Sequence, residues 1–432
     1  MRKAFVLLEL VNHVALVARS AKARGLAVVV VGQSPLPRQG PYAVPDGVVD
    51  EFVPIAGWSD ADGVRAALDD LHRRYDVVGT YAAFEAALPY DAEFRERLGL
   101  PTSGAATLDA ALDKARVRDR LRAAGLSRLR STTLSGALLW DTWGFDGPAI
   151  LKPVHGTGSA LCYTVDSLDA LRTAAADIER TTLDAGMTRD YVLRTGEFVL
   201  EQKAQGELLS VESLVYGGEV NVIGMLGRYV LADDPVVEQA AVFPYRHPRY
   251  DEIAEAAVAF HRCLGITHGP THLEVMVPED GPVELIDFNL RVAGAGAVLA
   301  FSEVLRSPYE ELLTDLACGV APDLAALRPV RWAAECLVLP RPGTTELRDI
   351  TVPPAARHVR ITKEIGARLT GRSDQLDSVT LFVVTAGSAE ELHTALMDAR
   401  RNTIVNGEPL GDNPNNRLIA PAHLRTPVGL GA

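Results

Sequence analysis

The segment from Thr271 to Arg291, THLEVMVPEDGPVELIDFNLR, leaves its backbone fewer choices than any other part of the chain. Two runs that alternate apolar and polar residues, His272 to Val277 and Pro282 to Asn289, flank Pro278-Glu279-Asp280-Gly281, which is turn chemistry. The pattern predicts a hairpin. If residues 278 and 283 are paired, so are 274 and 287, which sets the two Cβ atoms about 5 Å apart on one face. Period-two alternation adds Asn289 and then Arg291 to that face. Two directly opposed carboxylates repel at a cost of up to roughly 1 kcal/mol, which calls for a counter-charge. A hard divalent cation that takes oxygen ligands and shares them with phosphates would supply it. Arg291 has the fork that suits a phosphate oxygen. An exposed hairpin with scattered acids accounts for the same residues.

Two further segments interrupt apolar strands with charge. In PAILKPVHGTGSALCYTV, Lys152 falls inside a strand and Gly156, Thr157, Gly158 and Ser159 follow it. A buried lysine asks for an anionic partner, and the glycines allow backbone N–H groups to wrap a phosphate. A hairpin turn with a snorkelling lysine is the alternative. In FVLEQKAQGELLSVESLVYGGEV, a strand presents Glu201, Gln202, Lys203 and Glu207 before a second strand begins. Such a segment suits a purine edge and a ribose; a strand edge with a polar turn also explains it.

The remaining chain sets these segments in an α/β protein. At 432 residues it exceeds what one core holds, so several lobes are expected. The first hundred residues read as an α/β unit with a parallel sheet, with apolar runs at Ala27 to Val31 and Asp76 to Thr80 and no G-x-G-x-x-G. From Ser103 the sequence turns helical through LDKARVRDRLRAAGL, with Gly125 as the stop. Its arginines 116, 118, 120 and 122 read as a solvated face. Strands are expected at Pro148 to Val154, Leu161 to Val165, Glu197 to Ala204, Leu209 to Tyr216 and Val220 to Met225, with Gly217-Gly218 as a hairpin turn. A helix over DEIAEAAVAFHRCLG precedes the acidic hairpin, and the tail beyond Arg331 reads as a separate mixed lobe. The formal charge of −13 opposes a nucleic-acid partner. No run approaches a membrane span, and the four cysteines have no paired spacing and read as reduced core thiols. A cytoplasmic location is expected.

In this order, from about Val77 to Thr385, the segments resemble the ATP-grasp superfamily, and within it the L-amino acid ligases that make dipeptides. The resemblance implies an ATP-grasp fold of mixed α/β class in four parts: an N-terminal Rossmann-like domain (1–110), a small lid (111–195), an antiparallel nucleotide-binding subdomain (196–330) and a C-terminal lobe (331–432). It implies ATP with Mg²⁺, or Mn²⁺ as the alternative ion. The family stretch D-K-x-x-x-R-x-x-L-x-x-A-G-L matches Asp113 to Leu126 and makes Lys114 a phosphate ligand. Lys152 with Gly156, Thr157, Gly158 and Ser159 matches the second phosphate lysine and its glycine loop, and Glu201, Gln202, Lys203 and Ala204 match the adenine hinge. The ribose glutamate normally follows a glycine and one further residue, whereas Glu207 follows Gly206 directly. His272-Leu273-Glu274 and Asp287-Phe288-Asn289-Leu290-Arg291 match the H-x-E and acid-x-N-P-R strands, with Leu290 in place of Pro and Asp287 in place of Glu. Metal ligation thereby falls to Glu274, Asp287 and Asn289, and catalysis to Arg291 and Lys152.

Ala83-Phe84-Glu85 resembles the G-F-E of the dipeptide ligases, which suggests that Glu85 meets a substrate amino group; a surface acid at a helix start is the other reading. The implied activity joins a small-molecule carboxylate, an amino acid or derivative, to an amine through an acyl phosphate, releasing ADP. An ATP-grasp ligase for a non-amino-acid carboxylate and a non-catalytic ATP-binding module are the rivals. A homodimer is expected by analogy with relatives.

Overall fold

The computed structural model describes residues 1–156, 161–180, 196–235, 237–371 and 377–424. Four parallel strands open the chain: β1 (Lys3–Leu8), β2 (Ala27–Gly32), β3 (Glu51–Pro54) and β4 (Asp76–Ala82), in the order β3-β2-β1-β4. Ala4 to Leu8 and Ala27 to Val31 are wholly buried, as strands covered on both faces must be. The strand order reverses between β1 and β4. The crevice beyond their carboxyl ends is where such sheets take ligands, and it is flanked by Asn12 and His13 after β1 and by Glu85 after β4.

A small antiparallel sheet follows. It comprises β5 (Ser131–Thr133), β6 (Ala149–Pro153), β7 (Tyr163–Val165) and β8 (Phe198–Gln202) in the order β5-β8-β6-β7. Its core of Phe145, Leu151, Val165, Leu171, Phe198 and Leu200 is separate from the cores of the rest of the chain. It therefore forms a small subdomain of its own, here termed the lid.

The central sheet has nine strands, beginning with β9 (Glu207–Tyr216), β10 (Glu219–Leu231), β11 (Glu238–Tyr245), β12 (Gly269–Val277), β13 (Glu284–Asn289) and β14 (Trp332–Val338). Gly217 and Gly218, both left-handed (φ 59 and 84), turn β9 into β10 as expected. The strand expected at residues 220–225 runs on to Leu231. Gly227 conceals the extension in the sequence, but a Cβ at Gly224 or Gly227 would lie 2.7 or 2.8 Å from the ring of Phe243 or Tyr245, so each is a strand residue that admits an aromatic ring.

Most strands of the segment beyond Arg331 join the central sheet rather than a lobe of their own. β14 pairs with β11 and with β17 (Thr380–Ala386), and β17 pairs with β16 (Arg357–Ile361), so the C-terminal segment extends the central sheet. β20 (Leu418–Ile419) adds to β10, and only β15 (Ile350–Thr351), β18 (Ile404–Val405) and β19 (Glu408–Pro409) stand apart as a small sheet. Of the cysteines, Cys336 is buried and Cys162 is exposed, so the expectation of four core thiols fails at Cys162. No helix among the described residues is long and apolar enough to cross a membrane.

The lid meets the central sheet along β13, an edge strand whose outer groups need partners. Arg118, on the helix Lys114–Ala123, donates to the Leu285 carbonyl and to both Glu201 oxygens at 2.8 and 3.0 Å. Its third arm reaches Ser127 Oγ at 2.7 Å, and Glu284 lies 3.6 Å away. Arg118 is thus not on a solvated face. Its side chain is 3% exposed because this helix turns one side toward two buried glutamates, whereas Arg116, Arg120 and Arg122 stay outside. Removing one member of a buried ion pair strands its partner. Arg118→Met is expected to destabilise the protein by about 3–5 kcal/mol in equilibrium urea unfolding, while Arg116→Met leaves the midpoint unchanged. Equal, small shifts for both would mean that the junction is held by packing alone.

Candidate active site

Glu274 and Asp287 are register partners across β12 and β13, and His272 opposes Asn289. The expected opposition is present, but not by simple counting from the turn. Val275 pairs with Leu285, so a bulge leaves Ile286 as the extra residue. At this bulge the Ile286 carbonyl accepts from Lys152 Nζ at 3.0 Å. Lys152 is buried and also lies 3.4 Å from Glu201 Oε1, so the snorkelling reading fails. Burial would raise the Glu201 carboxyl, but Lys152 and Arg118 outweigh it and hold it below its ordinary value.

Lys114 reaches the same face from its helix. Its ammonium lies 3.0 Å from Asp287 Oδ1 and donates to the Gly156 carbonyl at 3.1 Å. Burial opposes its charge, and Asp287 more than compensates. Thr157, Gly158 and Ser159 lie outside the described residues. Gln202, Lys203 and Ala204 leave the end of β8, with the Gln202 and Lys203 amides bonded to the carbonyls of Arg130 and Pro148 at 2.8 and 3.0 Å.

The face carries more charge than the hairpin alone shows. His272 sits between two acids: Nδ1 bonds Glu212, and Nε2 lies 3.5 Å from Glu274. Burial works against a charged ring, yet the two carboxylates lift its pKa to about 9, so it is imidazolium near neutrality. Arg228 bridges Glu238, Ser210 and Glu274. Burial would raise the Glu274 carboxyl, but the His272 hydrogen bond and the charges of Arg228, His272 and Lys114 hold it well below the carboxylate range. Glu335 on β14 accepts from the Gly296 amide, and burial lifts its carboxyl to about 7.

Glu212, Arg228 and Glu335 were not anticipated from the sequence. The signal was present. Ser210 and Glu212 break an apolar strand at alternate positions, and Arg228 is the lone charge in GMLGRYVL. Likewise Arg118 occupies the arginine position of the helix motif that pointed to Lys114.

Arg291 lies at the mouth of the N-terminal crevice, with Nε 2.6 Å from Glu85 Oε1 and Nη2 3.5 Å from Asn289 Oδ1. Glu85 is 5% exposed, which rules out the surface-acid reading. Glu207, by contrast, falls away from this face. Alternation along β9 puts it on the side of Leu209 and Val211, opposite to Ser210 and Glu212, and Tyr245 donates to its Oε1 at 2.6 Å. It therefore cannot present its carboxylate beside Glu274, and the ribose expectation for it fails on strand parity. His247 and His423 lie 3.9 Å from its other oxygen. His247 Nδ1 accepts the Arg249 amide at 3.0 Å, which leaves the neutral ring's proton on Nε2 toward Glu207, not a lone pair for a metal. The cluster instead anchors the C-terminal segment, whose Ala422 amide donates to Glu207 at 3.3 Å.

The donor set of Glu274, Asp287 and Asn289 fits a hard divalent cation. It offers two carboxylates and an amide oxygen in adjacent register positions, all oxygen donors, with the Lys114 ammonium 3.0 Å from Asp287 Oδ1.

Two family models match the chain, the ATP-grasp N-terminal domain over residues 18–102 and the ATP-grasp domain over residues 145–298. Comparison with curated proteins returns no significant match. Among solved structures, the L-amino acid ligase from Bacillus licheniformis superposes with a TM-score of 0.77 at 19% identity, covering 94% of this chain and 98% of that one. Phosphoribosylglycinamide synthetase from Anaerococcus prevotii gives 0.68 at 14% identity, covering 94% and 99%. Biotin carboxylase from Campylobacter jejuni gives 0.65 at 15% identity, covering 93% and 92%. At such identities the likeness is one of fold. The two family models between them span more than half of the sequence, and the chain belongs to the ATP-grasp family.

Proposed function

We propose that the protein is an ATP-dependent ligase that activates a carboxylate as an acyl phosphate and joins it to an amine. The observation that carries this reading is the opposition of the Glu274–Asp287–Asn289 donor set to Lys114 and Lys152 across the lid junction, with Arg291 beside it. Cations and oxygen ligands without a nucleophile are the equipment of phosphoryl transfer, which needs positioning and charge neutralisation.

In this reading the substrate carboxylate attacks the γ-phosphorus, the bond to the bridging oxygen breaks, and ADP leaves with the electron pair. The amine nitrogen then attacks the acyl carbon, inorganic phosphate departs, and the nitrogen gives up one proton. Lys114 and Lys152 bind the phosphates, held in place by Asp287, Gly156, Glu201 and Ile286. Arg291 offsets charge on the transferred group. Bound Mg²⁺ would neutralise phosphate oxygens, and Glu274, Asp287 and Asn289 would hold it. Glu85, fixed by Arg291, receives the amino group of an amino-acid substrate. The resemblance in fold to the L-amino acid ligase supports amino acids as the substrate class.

Two outcomes test this. Glu274→Ala and Asp287→Ala should each lower kcat by at least about a hundredfold in folded protein, measured as ADP release; wild-type rates in either would remove the metal assignment. Phosphorus NMR of a turnover mixture of ATP with a panel of acids and amines should show ADP and inorganic phosphate. AMP and pyrophosphate would identify adenylate chemistry and overturn the acyl phosphate.

A further inference from the structure

We propose that Arg360 binds the carboxylate of the amine substrate, which makes that substrate an amino acid and the product a peptide with a free carboxyl end. The proposal rests on the ligase reading above and adds the identity of the second substrate's anchor.

Arg360 lies on β16, half-buried, and Nη1 donates to Asn12 Oδ1 at 2.6 Å. Its guanidinium carbon stands 5.7 Å from the centre of the Tyr42 ring. Both partners are neutral, and no carboxylate among the described residues lies within ion-pair distance of it. The other cations of the region differ. Lys114 has Asp287, Lys152 has Glu201, Arg228 has Glu238 and Glu274, and Arg291 has Glu85. Even on β16 itself, Arg357 and His358 share Glu303. A guanidinium oriented by an amide and a ring, with its charge unmatched, is prepared for a planar anion.

Its surroundings place that anion. Asn12 holds a left-handed backbone (φ 47) just beyond β1, at the crevice where the strand order reverses. Its neighbour His13 bonds the Tyr81 hydroxyl at 2.8 Å and feels the charge of Arg291. Tyr42 donates to the Ala295 carbonyl at 2.8 Å, in the loop that follows Arg291. Arg360 is therefore joined through Asn12 to the turn after β1 and through Tyr42 to the loop after Arg291, where the N-terminal domain, the central sheet and the C-terminal segment meet. An α-amino acid whose nitrogen is directed to the acyl group near Arg291 has its carboxylate left for a second cation.

The test is steady-state ADP release with a panel of α-amino acids and their carboxamides as amine substrates, for wild type, Arg360→Lys and Arg360→Gln. Arg360→Gln is expected to raise KM for amino acids about ten- to a hundredfold, with KM for ATP within twofold and carboxamides used no worse than by wild type. Arg360→Lys should recover part of the loss. If Arg360 only braces β16 against the N-terminal domain, acids and carboxamides will change alike and the thermal midpoint will fall; that result overturns the proposal and spares the ligase. A wild type that releases no ADP with any acid and amine pair overturns both.

Discussion

Everything near the site depends on one buried ion cluster at the lid junction, in which Arg118 and Lys152 share Glu201 against the outer edge of β13. Burying such charges costs several kcal/mol per ion, and mutual attraction offsets this only where the remaining donors are also used. Here they are used: Leu285, Ile286 and Ser127 take what Glu201 does not. The same contacts satisfy an edge strand that would otherwise expose its carbonyls. Lid orientation, edge protection and the placement of Lys152 thus follow from one arrangement.

The bulge at Ile286 has a second effect. It keeps Glu274 opposite Asp287 while the strand reaches its turn in a different register, so the carboxylates stay on the lid-facing side. Behind them a chain of charge runs from Glu212 through His272 to Glu274, and Glu212 also accepts from the Ala293 amide at 3.4 Å. With Glu335 on Gly296 and Tyr42 on Ala295, the loop after Arg291 is held from three directions. The strand that carries Asp287 and Asn289 and the loop after Arg291 are therefore set by the same sheet face.

Much of this was legible in short-range pattern. Alternation and turn chemistry gave the β12–β13 hairpin, its acid pair and the position of Asn289. The apolar runs gave β2 and β4, and Gly125 gave the stop of the helix that carries Lys114, but the break at Asp113, whose carboxylate accepts from the Arg116 amide, was not read. Where reading failed, a distant residue had decided the matter. Arg118 reads as one of four alternating arginines, and only Glu201, far along the chain, buries it. Glu207 reads as a site acid, but strand parity and the Tyr245 hydroxyl turn it to the other face. β10 was cut short because Gly227 is a strand residue only in the presence of Tyr245.

The sequence by itself determined which chemistry is present: an opposed acid pair on a hairpin, two lysines ahead of it, an arginine after it and the order of the segments that carry them. These follow from periods of two and of 3.6 residues, which are local properties of the backbone. The tertiary structure alone decided which charges are spent on one another and which remain for a ligand. Pairings such as Arg291 with Glu85, or the neutral setting of Arg360, join residues hundreds of positions apart. Ion pairing is set by distance in space, and no periodicity encodes it.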